Sequence, residues 1–281
     1  MTAHLAAITA FRLTTARPEP LIQFYAGLGF AIGEPERISD DEIALLGLDR
    51  GGIRSPLHIG EQRVDLDCFN SPGRPYPEGA TSADLHFQHL ALVTDNAAFH
   101  WSRARDLGAI PISDSGPVTL PASEGGVTAV KFRDPEGHPL EFLQFPPHSV
   151  TWQGSGLLGI DHSAISVSDV EASRQFYSAL GLSTRNRTDN RGPTQDALDG
   201  LSRADVEVVT MVPRQETPHL ELLAYRTSRS RSAGRLEAND VAATRIVCGL
   251  RCASARSRRT SASAQARSLR QRHKSPTEGA A

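Results

Sequence analysis

Cysteine is scarce in this chain. Its three thiols, Cys68, Cys248 and Cys252, are odd in number and poorly placed for a disulfide framework, so a reducing, cytoplasmic setting is expected. No apolar run nears the roughly 20 residues needed to span a bilayer, so no membrane partner is expected. The opening Met1-Thr2-Ala3-His4 lacks the basic stretch of a secretory signal. Charge of one sign is also missing: 30 Lys and Arg stand against 32 Asp and Glu. Nothing in that balance calls for nucleic acid as a partner.

What the chain does have is repetition. Gln23-Phe24-Tyr25-Ala26-Gly27-Leu28-Gly29 returns as Gln175-Phe176-Tyr177-Ser178-Ala179-Leu180-Gly181. His89-Leu90-Ala91-Leu92-Val93 is echoed by His162-Ser163-Ala164-Ile165-Ser166. Glu141-Phe142-Leu143-Gln144-Phe145 pairs with Glu221-Leu222-Leu223-Ala224-Tyr225. Such self-similarity marks copies of one supersecondary unit. Leu21, Phe24, Tyr25 and Leu28 form one helical stripe, and the Gly after each Leu suits a helix stop. Phe24, Tyr25, Phe176 and Tyr177 are therefore expected in the core. Strand-like runs flank each helix: 8–14, 88–93, 127–133, 140–145, 161–167, 206–212 and 220–225. One unit reads as strand, helix, then about three strands.

The units divide the chain. Residues 1–145 are expected to form a first domain of two units, about 5–70 and 84–145. A Pro/Gly/Ser-rich linker, 146–156, leads to a second domain at 157–247 with a third unit and a truncated fourth, whose first strand is expected at 240–247. Residues 248–281 hold seven Arg and one Lys against a single acid, with few apolar anchors, and are expected to be disordered. Loss of the reading frame near Val247 is another account of the abrupt change.

Chemistry is sought where the repeat recurs. Glu141 and Glu221 each precede a closing aromatic by four positions, and Asp65 precedes Phe69 in the same way. On a strand the acid and the aromatic face alike, and a carboxylate on an apolar face needs a partner or a metal. His89 and His162 lie on first strands. A histidine on a strand is most often only a core or surface residue, but its recurrence opposite a recurring Glu points to a metal. The imidazole and carboxylate mix suits divalent Fe, Mn, Zn or Ni. His86, His100, His138 and His148 have no repeat partner and read as surface or turn residues.

These first-strand histidines, the Phe-Tyr-x-x-Leu-Gly helices and Asp134-Pro135-Glu136-Gly137-His138-Pro139-Leu140-Glu141 resemble the vicinal oxygen chelate superfamily. That group contains glyoxalases, extradiol dioxygenases and fosfomycin- and bleomycin-resistance proteins. The resemblance covers about residues 5–247. It implies an α+β fold of βαβββ modules paired into a cupped mixed sheet around a metal and a small-molecule substrate. It also implies that the first-strand His and last-strand Glu of two paired modules surround one ion. Ala10 and Arg245 fall where two further histidines would stand. The expected site of the first domain is then Asp65, His89 and Glu141, with His162 and Glu221 an open half-site in the second. Three functions follow from the resemblance: a metal-dependent lyase, isomerase or dioxygenase, a metal-free binding protein, or an inactive truncated copy. The unpaired half leaves a homodimer as a further expectation.

Overall fold

The computed structural model describes residues 4–122, 125–147, 152–227 and 230–251. The first module contains β1 (His4–Thr14), α1 (Pro18–Leu28), β2 (Ala31–Ile32), β3 (Glu36–Arg37), α2 (Asp40–Leu45), β4 (Gly52–Ile59) and β5 (Gln62–Phe69). The second contains β6 (Gln88–Thr94), α3 (Ala97–Asp106), β7 (Ile110–Pro111), β8 (Val118–Thr119), β9 (Thr128–Arg133) and β10 (Pro139–Gln144). The third contains β11 (Leu157–Ser166), α4 (Val170–Leu180), β12 (Ser183–Arg191), α5 (Pro193–Asp199), β13 (Asp205–Val212) and β14 (His219–Tyr225). Of the fourth, only its first strand, β15 (Arg245–Arg251), is described. It starts later than the expected 240–247, because 240–243 form a turn anchored by Asp240 on Arg74. The expected tail overlaps β15 at 248–251, and residues 252–281 lie outside the described set.

The modules do not pair in sequence order. One sheet runs β12-β13-β14-β11-β6-β10-β9-β7 and joins the second module to the third. The other runs β15-β1-β5-β4-β2 and joins the first to the fragment of the fourth. The expected pairing of 5–70 with 84–145 is thus overturned. Its physical source is the antiparallel pairing of β6 with β11, which sets the two first strands side by side at the centre of one sheet.

Helices sit on one face of each sheet and share a single apolar core. Phe11 and Leu66 from one sheet meet Phe132, Phe142 and Leu222 from the other around Phe24, Tyr25 and Trp101 of the helices. Period-two alternation then sends His89, Ala91, His162 and Ala164 to the opposite, concave face. A bulge between Ile160 and His162 makes this possible, turning Ile160 toward the core and His162 toward the concave side. Helix α1 packs on α3 at Gly27, where a Cβ would sit 2.7 Å from the Leu107 side chain. Among the described residues α4 has no such partner helix, and Phe176, expected in the core, is 59% exposed. No helix among the described residues is long and apolar enough to cross a membrane.

The Asp134–Gly137 turn binds the modules together. His138, expected on the surface, is fully buried. Its Nδ1 meets Asp134 at 2.8 Å and its Nε2 meets the Thr14 carbonyl at 2.9 Å. Both neighbours accept, so both ring nitrogens must donate, which requires an imidazolium. Burial opposes that charge, but Asp134 outweighs it and the His138 pKa is raised. His86 and His100 are buried as well, and His148 lies outside the described residues.

Candidate metal centre

The pairing of β6 with β11 builds a site with local two-fold symmetry. Glu141 on β10 stands beside Ala91, which stands beside His162. Glu221 on β14 stands beside Ala164, which stands beside His89. Each row thus reads carboxylate, alanine, imidazole, in opposite directions. The methyl side chains of Ala91 and Ala164 leave the space into which the four longer side chains converge. His89 Nε2 lies 3.1 Å from Glu141 Oε2, and His162 Nε2 lies 3.7 Å from the same oxygen and 3.5 Å from Glu221 Oε2. Ligand atoms of His89, Glu141 and His162 all fall within 4.8 Å of one another. That spread suits donors around one ion at about 2 Å each.

The electrostatics are those of a cation site. His89 Nε2 and His162 Nε2 are buried without a hydrogen-bond partner among the described residues. The 3.1 Å approach of His89 to Glu141 lacks the alignment of a hydrogen bond, and both atoms are left facing the same space. Burial lowers the His89 pKa, leaving a neutral imidazole, although Glu141 pulls the other way. Burial also acts to lower that of His162, but Glu221, Asp161 and Glu141 outweigh it and push it up to about 9. Burial acts to raise Glu141 and Glu221, and neighbouring basic groups reverse it. Lys131 and His89 lower Glu141, and His162 and His219 lower Glu221 to about 2.

Three groups beside the site carry no repeat signal. Asp161 accepts from His162 Nδ1 at 2.9 Å, which leaves Nε2 to face the carboxylates. His219 lies 3.8 Å from Glu221. Lys131 stands beside Glu141 in the β9–β10 register and binds Asp199 of α5 at 2.6 Å. The Asp161-His162 dipeptide was the available clue to the first. Strand alternation opposite Glu141 was the clue to Lys131.

Asp65, expected with His89 and Glu141, is on the other sheet. It occupies the position equivalent to Glu141, beside Arg12 as Glu141 is beside Ala91. Its neighbours there are guanidinium groups: Arg12 at 3.3 Å and Arg63 at 2.5 Å. Arg245, in the place equivalent to His162, binds Asp67 at 3.1 Å, and Arg54 clasps Asp67 through two bonds. Arginine side chains cannot act as neutral ligands and repel a cation. Nor is the pair His162 and Glu221 an open half-site, since the second module fills the side expected to be empty. One ion per chain is therefore the expected capacity, and a zinc site that survives His162→Ala in a metal titration would show that the arginine-filled cup also binds.

A cavity of about 310 Å³ opens over the cluster, lined by His89, Glu141 and Glu221 at its base and by Leu143, Val208 and Tyr225 higher up. A larger one of about 510 Å³ beside Ala10 and Trp152 contains none of the four candidate ligands. The candidate donor atoms converge on the smaller cavity.

The Glyoxalase/Bleomycin resistance protein/Dioxygenase superfamily profile matches residues 3–142 and 159–262. No curated protein sequence matches the chain. Among solved structures, glyoxalase I from Zea mays is similar at a TM-score of 0.55 and 16% identity, covering 79% of this chain and 68% of that one. Two variants of the same maize protein align at 17% and 18% identity, with TM-scores of 0.55 and 0.54. The first covers 79% of this chain and 68% of that one, the second 81% and 70%. At that identity the likeness is one of fold.

Proposed function

Because this chain belongs to the glyoxalase/bleomycin resistance protein/dioxygenase superfamily, we propose that it is a metal-dependent protein of glyoxalase or dioxygenase type. Its substrate is a small molecule bearing two adjacent oxygens. His89, Glu141, His162 and Glu221 hold the ion. The observation that carries this reading is the pair of buried, unpartnered Nε2 atoms of His89 and His162 facing two carboxylates. Two nitrogens and two oxygens suit divalent Fe, Mn, Zn or Ni and leave positions open for substrate.

When bound, such an ion supplies Lewis acidity toward the two substrate oxygens. The chain supplies the rest. Asp161 fixes the tautomer and tilt of His162. Lys131 keeps Glu141 ionised. Glu221 has the more open carboxylate, its side chain 22% exposed against 6% for Glu141, and is the group placed to accept a proton from the substrate. Leu143, Val208 and Leu223 wall off water. Ala10, where a further histidine would stand, is on the other sheet, so its lack of a ligating side chain takes nothing from these four residues.

Proton linkage tests the reading. His162 has a folded pKa of about 9, so at pH 7 it is an imidazolium, while His89 is neutral. A ligating imidazole must be neutral, so binding displaces one proton from His162. Calorimetric zinc titrations at pH 7, in buffers of different ionisation enthalpy, should report release of about one proton per ion. Apparent affinity should rise about tenfold per pH unit up to about pH 9 and then level off. Absence of zinc binding across that range would overturn the metal-dependent reading.

A further inference from the structure

The wall of the cup contributed by the third module is graded along its strands. The row at the metal cluster is Asn186, Thr210 and Glu221, followed one step up by Thr188, Val208 and Leu223. The next row is Asn190, Val206 and Tyr225. Residues in register across neighbouring strands share a face, and each step along it is two residues. The third row therefore stands about 13 Å up the strand from Glu221, beyond an apolar belt.

That row carries unused polarity. Asn190 Oδ1, the Tyr225 hydroxyl and Gln195 Oε1 from the adjoining helix α5 are buried without a hydrogen-bond partner among the described residues. All three residues line the cavity. The amide of Gln195 is 4% exposed, and its orientation is fixed because Nε2 donates to Asp199 at 2.7 Å, so the oxygen is the free end. Tyr225 lies near Asp199, but among the described residues no acceptor meets its hydroxyl in hydrogen-bond geometry. The opposite wall, from the second module, offers Val127, Leu143 and Phe145, and among its described residues none of the unpartnered polar atoms of this kind. A buried polar atom without a partner is costly, so these three mark a place where a ligand completes the bonding.

We propose that Gln195, Asn190 and Tyr225 form a recognition site for the far end of the substrate, and that this end is neutral and hydrogen-bond donating, a carboxamide or hydroxyl rather than a carboxylate or phosphate. Two carbonyl oxygens require donors, and the phenol can donate to an acceptor or accept in turn. An anion would face those two oxygens with Asp199 close behind, the latter already matched by Lys131. The substrate thus has a chelating head, an apolar middle the length of the Leu223 belt, and a neutral polar tail. The inference rests on the proposed metal centre, which seats the head.

The test uses hexanohydroxamate and its terminal carboxamide, hydroxyl and carboxylate derivatives, titrated calorimetrically into the zinc-loaded full chain. The neutral polar tails should bind at least about tenfold tighter than the methyl or carboxylate tails. Tyr225→Phe and Asn190→Ala should each shrink that preference to about twofold. Equal affinities for carboxamide and carboxylate tails would overturn the inference with the metal centre intact. Failure of all the hydroxamates would instead overturn the metal reading. In that event hexanamide and hexanoate, compared by ligand-observed NMR without added metal, decide the tail site. Hexanamide binding lost in Tyr225→Phe supports it, and indifference between the two refutes it.

Discussion

Replacing Glu141 by alanine is expected to abolish zinc or cobalt retention, while Asp65→Ala leaves it unchanged. Removing an outer-shell partner of a metal ligand typically costs 10–100-fold in affinity. Removing Glu141 deletes both a ligand oxygen and a negative charge beside His89 and His162, so a loss above about 100-fold is expected. Asp161→Ala, which frees only the back of the His162 ring, should fall within that outer-shell range. Asp65→Ala acts elsewhere, freeing Arg12 and Arg63 from a buried carboxylate. Its cost is stability, about 1–3 kcal/mol, seen in urea unfolding. Equilibrium dialysis on the three variants separates the two cups, and metal loss in Asp65→Ala equal to that in Glu141→Ala would return the site to the first module.

The contrast between Glu141 and Asp65 also marks how far the sequence could be read. The repeats placed the strands of each module and singled out His89, Glu141, His162 and Glu221, though as parts of two separate sites, because alternation within a strand is a local property. The α+β class and cupped sheet followed from the family resemblance, which the Phe-Tyr-x-x-Leu-Gly helices and the Asp134–Glu141 stretch carry. Which module pairs with which is not local. Every first strand has one open edge with a similar apolar alternation, and nothing in residues 5–14 or 88–94 says which partner it takes. The His162 bulge is equally silent, since an extra residue in a strand leaves no period to count. Asp65 was misassigned for this reason: it occupies the position equivalent to Glu141, in a cup where Arg12 and Arg245 have taken the central places. Arg245 already hinted at that outcome. Lys131 and Asp199, 68 positions apart, meet only because the second and third modules share a sheet.

That last pair should be among the most sensitive points of the fold. Lys131 Nζ and Asp199 Oδ1 lie 2.6 Å apart, with the side chains 5% and 0% exposed. Asp199 ends α5, which is tied to the second module through Ser113 on the Leu198 carbonyl and to the segment just before it through Ser82 on the Asp199 carbonyl. At Gly200 a Cβ would sit 2.4 Å from the Ile112 carbonyl, so the helix end is held close against the neighbouring module. Asp199→Ala leaves an ammonium buried beside that joint and takes the acceptor from Gln195 as well. Breaking one side of a buried pair costs about 3–5 kcal/mol, which for a chain of this size lowers the melting temperature by about 10 °C. Burial would then drive the Lys131 pKa down, with Glu141 left as its principal acidic neighbour. Replacing both members, Lys131→Met with Asp199→Leu, removes the stranded charge and should recover more than half of the loss, because the desolvation cost of both ions disappears with their attraction. Thermal unfolding of the single and double variants decides the matter. A double variant as unstable as Asp199→Ala would mean that the lost hydrogen bond from Gln195 to Asp199, rather than the stranded lysine, accounts for the instability.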